Sequence, residues 1–334
     1  MAGGSLGVAV VWNVKTGRWT CTWSASRPAL AASAVSAGIP LLVDPGNGAA
    51  CGFVRDVYER LGLRVQALND VSDGTFPDRG PEPGPESLVG TVAALEGAGD
   101  ELAVCFDGDA DRVLFCDREG FLGLDEVVAF IARNRVRETA KLRLATTVET
   151  GLLPECAVAA EGGQVVRGAV GDVAVAQLAR REDAALGAET IGVYVFPEVG
   201  FYPESILAPL YLLGMLGQVS DIREFISSLP PVHLVKRKVR CPSPLKTEVM
   251  WWLDGSPHDM VRSGEVRVNR TDGIRLELGD AWLLVRPSGT EPVIRVTAES
   301  TGAADAEMMA RDASARVETL VSLAEHGGLP GDMS

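Results

Sequence analysis

From residue 39 onward, short apolar segments alternate with segments of helical periodicity, and this alternation restricts the possible folds more than any other feature. Segments 40–43, 63–68 and 102–106 are expected to be strands, and segments 50–61 and 86–96 are expected to be helices. Strands that are separated by helices pair in parallel, and the helices cover both faces of the sheet. The sequence therefore predicts an α/β fold.

The same alternation continues from residue 142 to about residue 230, and closely spaced strands follow it. The expected strands are 144–148, 164–167 and 193–196 before that point, and 232–240, 265–268, 273–278, 281–286 and 293–298 after it. A long helix is expected at 303–324. We therefore expect consecutive three-layer α/β/α mixed-sheet domains followed by a smaller α+β C-terminal domain. The expected domain limits are 1–38, 39–139, 140–231 and 232–328.

The composition excludes several classes of protein. The chain has 45 acidic and 31 basic residues and a net charge of -14. Because nucleic-acid binding needs a basic surface, no nucleic-acid partner is expected. No apolar run reaches the roughly 18 residues of a membrane span, and the N-terminus lacks the pattern of a secretory signal. Six scattered cysteines without a CxxC pair are typical of reduced thiols, so the sequence predicts a cytoplasmic protein.

Three carboxylates stand at every second position in the stretch CFDGDADRVLF, which begins at Cys105. Asp107, Asp109 and Asp111 follow an expected strand, and in a tight loop each pair would repel by roughly 4 kcal/mol at 4 Å and an effective dielectric of 20. A bound divalent cation removes that cost, and ligation by oxygen alone suits Mg²⁺. Arg112 is placed to address a phosphate at the same ion.

The spacing of this acidic stretch also bears on three other kinds of loop. A solvated acidic turn stays open. A calcium EF-hand is excluded, because Arg112 and Arg118 stand where that loop needs Gly and Glu. The string also lacks the spacing of a haloacid-dehalogenase type phosphatase.

Two further motifs carry polar chemistry. The string RPSGTEP offers the Arg286 guanidinium, the hydroxyls of Ser288 and Thr290, and backbone N–H groups at Gly289, which together suit a phosphate monoester. A polar hairpin turn is the open alternative for this string. The string GAETIGV places Glu189 at the end of an expected strand, where a surface residue is the open alternative.

Together and in this order, the strings DGDADR and RPSGTEP resemble those of the α-D-phosphohexomutase family, which includes phosphomannomutase, phosphoglucomutase and phosphoglucosamine mutase. The resemblance covers roughly residues 39–325. Supporting similarities are found at 44–48 (DPGNG), 73–77 (DGTFP), 170–172 (VGD), 196–198 (FPE) and 271–274 (TDGI).

The resemblance implies four domains around one cleft, with a phosphoserine on the first domain as the phosphoryl donor. It implies Mg²⁺ on the three aspartates, with Arg112 beside the transferring group. It also implies that a hexose phosphate binds through the remaining motif residues, which are Glu189, Arg286, Ser288, Gly289 and Thr290.

The sequence departs from the family pattern in two places. Fewer than forty residues precede the segment that begins the second domain, so a truncated first domain is expected. Ser26, in the string SASRP, is the candidate phosphoserine, and a helix cap before Ala29 is the open alternative. In the third-domain loop, Ile191 and Val193 replace a serine and a histidine, which removes two polar contacts to a sugar.

The expected function is that of a phosphohexomutase, an isomerase that transfers a phosphoryl group between the 1- and 6-positions of a hexose phosphate. The chain would act alone or with a serine-loop domain from another chain. The alternative is a catalytically degenerate family member that binds a sugar phosphate or a partner protein. We further expect a homo-oligomer, or a partner chain that covers the exposed face of the second domain.

Overall fold

The computed structural model describes residues 9–13, 18–22, 27–98, 101–261 and 266–326. The strands are β1 (Ala9–Asn13), β2 (Arg18–Thr22), β3 (Leu41–Asp44), β4 (Val65–Ala67), β5 (Leu102–Phe106), β6 (Val113–Asp117), β7 (Gly120–Phe121), β8 (Arg143–Thr147), β9 (Gln164–Gly168), β10 (Leu186–Glu189), β11 (Val193–Val195), β12 (His233–Arg240), β13 (Arg267–Asn269), β14 (Ile274–Glu277), β15 (Ala281–Pro287) and β16 (Val293–Ser300). The helices are α1 (Arg27–Ala37), α2 (Val54–Arg60), α3 (Val89–Ala98), α4 (Leu124–Thr139), α5 (Leu152–Ala159), α6 (Asp172–Arg181), α7 (Ala208–Met215), α8 (Ser220–Ser228), α9 (Lys246–Gly255) and α10 (Ala303–Glu325).

The described residues form two compact units. The first unit contains the described residues up to Thr147 together with Pro154–Val166 and Gly171–Leu229. The second unit contains Val148–Leu153, Arg167–Val170 and the described residues from Pro230 onward. The domain limits expected from the sequence remain predictions.

The first unit is built on a five-stranded mixed sheet in the order β4-β3-β5-β6-β7. Strand β3 pairs in parallel with β4 and β5, as the alternation of strands and helices predicts. Strands β5 and β6 pair antiparallel, because the acidic stretch between them is a hairpin that is too short for a crossover. Both strands of this hairpin are buried along their whole length, so the loop that joins them stands on a rigid base.

Helix α2 begins at Val54, four residues later than the apolar periodicity indicates. Gly52 adopts a φ of +67°, which a helix cannot contain. The segment before it is occupied by turns, and the Ala49 N–H donates to the Gly108 carbonyl oxygen at 2.9 Å. A tertiary contact to the acidic loop therefore delays the start of the helix.

A second sheet in the order β11-β10-β8-β9 follows along the chain. Strands β8 and β10 are parallel, and β11 turns back antiparallel to β10. Apolar residues of α6 pack on this sheet, with Leu178 and Ala179 against Ala145. The sheet therefore carries Glu189 at the carboxyl end of β10.

The second unit contains an antiparallel sheet in the order β12-β16-β15-β14-β13. One face packs against α9 and α10 through a cluster that includes Leu283, Val285 and Val317. The opposite face carries Trp282 and Leu284, which pack with Val148 of the same unit. Successive side chains of a strand point to opposite faces, and this alternation along β15 assigns Arg286 to the face of Trp282 and Pro287 to the face of Val285.

Two predictions from composition can be compared with the described residues. None of the helices in these ranges combines the length and apolar character that a membrane span requires. Five of the cysteines carry free thiols in the structure: Cys51, Cys105, Cys116, Cys156 and Cys241.

Candidate functional site

The acidic loop brings its three carboxylates together. One ligand atom from each of Asp107, Asp109 and Asp111 can be chosen so that all three lie within 4.8 Å of one another. Asp107 is 1% exposed, whereas the other two aspartates are exposed to solvent. Ala110 adopts the left-handed conformation, with a φ of +64°, and its N–H donates to the Asp107 carbonyl oxygen at 3.2 Å. This turn reverses the chain within the loop.

Burial makes the negative charge of the loop unfavourable at Asp107. Desolvation raises the pKa of Asp107 to about 6, a shift that the N–H of Arg112 opposes and the neighbouring Asp111 reinforces. The Arg112 guanidinium lies 2.8 Å from carboxylate oxygens of both Asp107 and Glu82, and 3.5 Å from Asp111. Arg112, expected to face a phosphate, therefore compensates part of the charge of the loop, and an excess of negative charge remains.

A buried ion pair supports the loop from below. Asp44, which is fully buried at the end of β3, accepts a hydrogen bond from Arg79 Nε at 3.0 Å, and the Arg79 side chain is only 3% exposed. The same guanidinium donates to the carbonyl oxygen of Phe106, the residue directly before Asp107. Thr91 and Asn69 donate to the Asp44 carboxylate at 2.6 and 3.1 Å. The charge of Arg79 is thus satisfied where β3 and β5 end.

The glycine turn after β3 packs against the acidic loop without space for a side chain. A Cβ atom at Gly48 would lie 2.6 Å from the carbonyl oxygen of Gly108 and 3.0 Å from its Cα. Both contacts are to backbone atoms, which cannot move aside as a flexible side chain can. Close approach of the two loops therefore requires glycine at position 48.

We expect Gly48→Ala to lower the free energy of unfolding by about 1–3 kcal/mol, because the extra methyl group forces backbone shifts in both loops. Urea denaturation followed by circular dichroism measures the change. Gly90→Ala is the matched control, since the new Cβ would contact nothing within 4 Å and the residue lies in α3. The control should be neutral or stabilising by up to about 1 kcal/mol. Equal stability of Gly48→Ala and the wild type would contradict the packing described.

Two residues from later in the first unit also hold the acidic hairpin. The buried Ser205 hydroxyl donates to the Ala110 carbonyl oxygen at 2.6 Å. The Val113 N–H, at the start of β6, donates to the Gly192 carbonyl oxygen at 2.9 Å. Gly192 has a φ of +98°, and a Cβ there would lie 2.8 Å from the Val113 carbonyl oxygen. The loop that follows Glu189 is therefore fixed to the base of the acidic loop.

Glu189 is 3% exposed, and its Oε1 accepts a hydrogen bond from the Gly171 N–H at 2.8 Å. Gly171 precedes the first residue of α6, so the carboxylate stabilises the positive end of that helix. Ile191, which replaces a polar residue of the family pattern, is 42% exposed, and Val193 is buried. The geometry gives Glu189 a positioning role in addition to the sugar contact expected from the sequence.

The RPSGTEP string joins β15 to β16 in the second unit. Arg286 donates from Nη1 to Glu149 Oε1 at 3.1 Å, and its Nε lies 3.0 Å from Asp272 Oδ1. Arg286 therefore faces two carboxylates of its own unit. The ion pairs orient the guanidinium before any ligand binds.

The turn itself is held from within. The hydroxyl oxygen of the buried Ser288 accepts a hydrogen bond from the Glu291 N–H at 3.1 Å. Lys246 Nζ donates to the carbonyl oxygens of Ser288 and Glu291 at 2.7 and 2.5 Å. Gly289 and Thr290 are exposed at the tip. The exposed tip is thus accessible to an anion, and the Ser288 hydroxyl maintains the conformation of the turn.

Several of these supporting residues were missed by sequence reasoning. Arg79 lies in a proline-rich loop, and nothing local indicates that it is buried. Ser205 and Lys246 lie outside every motif named in the sequence analysis. Asp272 lies in the TDGI string, which resembles the family pattern but did not indicate what Asp272 does. Ser26, the candidate phosphoserine, lies outside the described residues.

Comparison with protein families finds three matching models. Residues 25–120 match "Phosphoglucomutase/phosphomannomutase, alpha/beta/alpha domain II", and residues 124–232 match the corresponding "domain III". Residues 253–315 match "Phosphoglucomutase/phosphomannomutase, C-terminal domain". The three matches follow one another in the order of a single family.

Among curated proteins, the chain is 36% identical over 277 residues to the "Probable phosphoglucosamine mutase" of Methanopyrus kandleri, covering 82% of this chain and 60% of that protein. It is 32% identical over 286 residues to the protein of the same name from Pyrococcus abyssi, covering 85% of this chain and 62% of the relative. The chain thus spans about three fifths of the length of these relatives.

Solved structures share the fold. A phosphoglucomutase/phosphomannomutase family protein from Burkholderia thailandensis superposes with a TM-score of 0.74 at 23% identity, covering 89% of this chain and 65% of that one. The pp63/parafusin phosphoglucomutase of Paramecium, in its open form, gives a TM-score of 0.70 at 16% identity, covering 88% of this chain and 61% of that one. The three family models, which together match well over half of the chain, and the relative that is 36% identical show that the chain belongs to the α-D-phosphohexomutase family.

Proposed function

We propose that this chain binds Mg²⁺ on Asp107, Asp109 and Asp111, binds a hexose phosphate, and takes part in phosphoryl transfer between the 1- and 6-positions of that sugar. The observation that carries the proposal is that three carboxylates converge in the loop between two buried strands. Arg112 compensates their negative charge only in part. The relatives named phosphoglucosamine mutase support the reaction class.

The residues of the acidic loop fit a hard divalent cation. All three side chains offer oxygen atoms only, and two of them are open to solvent, which leaves room for water or a phosphate oxygen. Burial disfavours the charged form of Asp107, and a cation at this position would restore it. When bound, the ion would neutralise charge on a transferring phosphoryl group.

The RPSGTEP turn supports the binding of a second phosphate position. Arg286 offers a guanidinium that its own ion pairs already orient, and charge-assisted hydrogen bonds from arginine suit a phosphate dianion. The exposed Gly289 and Thr290 add a backbone N–H and a hydroxyl. These groups would hold the phosphate that does not react.

The proposed reaction needs a phosphorylated serine as donor. The bond between the serine oxygen and phosphorus breaks, a bond forms between phosphorus and the oxygen of the free sugar hydroxyl, and the proton of that hydroxyl passes through a base to the released serine oxygen. The hexose bisphosphate then returns its other phosphoryl group to the serine, so the net change is an isomerisation. Ser26, or a serine loop from another chain, is the proposed donor.

The test is ³¹P NMR of the protein with Mg²⁺, glucosamine 1-phosphate and a trace of glucose 1,6-bisphosphate. Growth of a 6-phosphate signal that Asp109→Asn and Ser288→Ala each abolish would support the mutase. Line broadening without conversion would support the degenerate alternative, a protein that binds the sugar phosphate only. The absence of both conversion and line broadening would contradict the proposal.

The positioning of the loop by Ser205 gives a separate prediction. Ser205→Ala removes the hydroxyl that holds the carbonyl oxygen of Ala110, so we expect the Mg²⁺ affinity to fall about tenfold, as is common for groups that orient a metal site. Calorimetric titration with Mg²⁺ measures the affinity without any need for turnover. Ser314→Ala is the matched control, because that buried hydroxyl makes an equally short bond, 2.6 Å, to Ala310 in α10. An unchanged Mg²⁺ affinity in Ser205→Ala would show that Ser205 does not position the acidic loop.

Self-association, or a partner chain on the exposed face of the second domain, is also proposed. The test is light scattering of the purified chain. A monodisperse monomer over a range of concentrations would count against self-association.

A further inference from the structure

We propose that the second unit carries a separate carbohydrate-binding groove that takes a single hexopyranose ring. The groove has a volume of about 320 Å³ and lies between α9 and the loops that flank β14 and β15. Its walls include Thr247, Trp251, Asp254, Arg270, Ile274 and Pro287. The proposal goes beyond the mutase reaction and does not depend on it.

One side of the groove is lined by a tryptophan that the fold leaves largely exposed. Trp251 is 67% exposed, whereas tryptophan side chains in folded proteins are on average highly buried. The ring of Trp252 meets it edge to face, with centroids 4.9 Å apart and planes at 84°. Trp252 in turn packs against the core of the unit. The exposed indole is therefore held in place and presents an aromatic surface to solvent.

Polar groups stand beside this aromatic surface. Arg270 Nε donates to Asp254 Oδ1 at 2.5 Å, and both side chains are about half exposed, at 51% and 43%. A guanidinium has five N–H donors and a carboxylate has two acceptor oxygens, so this bond uses only part of their capacity. Thr247 adds a hydroxyl to the same groove.

This combination of groups matches the chemistry of a pyranose. The C–H groups of one sugar face pack on an aromatic ring, while the hydroxyls around the rim need both donors and acceptors. Because Arg270 and Asp254 neutralise each other, the groove does not select an anion such as free phosphate. A volume near 300 Å³ is at the small end for ligand sites, which suits one ring better than an oligosaccharide.

The groove borders the RPSGTEP turn at Pro287, but Arg286 is not among the residues that line it. Leu283 and Val285 of β15 pack on the side of α9 and α10, whereas Trp282 and Leu284 pack on the opposite side. The alternation of side chains along the strand assigns Pro287 to the face of α9 and Arg286 to the other. A sugar in the groove therefore does not use the Arg286 guanidinium.

The probe is methyl α-D-glucopyranoside, which carries no phosphate, and binding is measured by saturation-transfer difference NMR. We expect saturable transfer to the sugar protons in the wild type. Affinity should fall at least about tenfold in Trp251→Ala and several-fold in Asp254→Asn, a loss of about 1.4 kcal/mol for the first variant. Arg286→Met should bind the probe as the wild type does.

Three results would overturn the proposal. The first is the absence of saturable transfer in the wild type, which would leave Trp251 as a contact for a protein partner. The second is wild-type affinity in Trp251→Ala that retains its circular dichroism spectrum. The third is an equal loss in Arg286→Met, which would place the sugar at the phosphate turn. Trp251→Phe keeps an aromatic ring and should retain most of the affinity, which separates stacking from folding.

Discussion

Arg79→Met is expected to lower the free energy of unfolding of the first unit by about 3–5 kcal/mol, because it leaves the charge of Asp44 buried without its partner. Asp44 is fully buried and Arg79 is 3% exposed, so water cannot replace the lost ion pair. The carbonyl oxygen of Phe106 loses a donor at the same time. The acidic loop begins at the next residue, so its support is lost with the pair.

Urea denaturation followed by circular dichroism measures this effect. Arg55→Met is the matched control, since Arg55 pairs with Glu59 one helical turn away and both side chains are nearly half exposed. Exposed pairs of this kind contribute about 0.3–0.5 kcal/mol, so the control should change stability little. The double variant Asp44→Asn with Arg79→Met should cost less than the sum of the single variants, because removing both partners leaves no uncompensated charge. Equal costs for Arg79→Met and Arg55→Met would contradict this account of the loop.

Arg286→Met is expected to weaken the binding of glucosamine 6-phosphate by about 10- to 100-fold. Charge-assisted hydrogen bonds contribute about 1.5–3 kcal/mol, and each 1.4 kcal/mol is a factor of ten in affinity. Asp272 and Glu149, which now pair with Arg286, would be left without its charge and would repel the phosphate. Arg286→Lys keeps the charge without the planar guanidinium and should lie between the two.

Arg295→Met is the matched control for that titration. Arg295 stands directly opposite Arg286 in the register of β15 and β16, but it pairs with Glu291 at 2.8 Å. We expect its loss to leave the affinity for the sugar phosphate nearly unchanged. If both variants lost affinity equally, a general effect of positive charge would explain the result, and a specific role for Arg286 would be wrong.

Local patterns predicted the elements that carry the site. The apolar segment before Asp107 is β5, and its burial on every residue explains why the sequence alone indicated a strand. The string DGDADR lies in the loop between β5 and β6, and RPSGTEP comprises the last two residues of β15 and the turn to β16, as the apolar segments around each string predicted. The alternation of strands and helices also predicted parallel pairing, and β3 pairs in parallel with β4 and β5.

Contacts distant in sequence account for what was missed. Arg79 reaches Asp44 across 35 residues, and Ser205 reaches Ala110 across 95, so no periodicity within a window reveals either. The late start of α2 has the same origin, because Ala49 bonds to Gly108 in place of beginning a helix. The sequence left open whether Glu189 is a surface residue, because its partner, the Gly171 N–H, lies 18 residues away.

The central claim is that the acidic loop binds a divalent cation, and calorimetric titration of the purified chain with Mg²⁺ tests it most directly. The account predicts one site per chain that is lost in Asp109→Asn, a substitution at an exposed position of the loop. Glu96→Gln, which removes an exposed carboxylate on α3, should leave the site intact. Absence of a site in the wild type, or an unchanged site in Asp109→Asn, would contradict the claim.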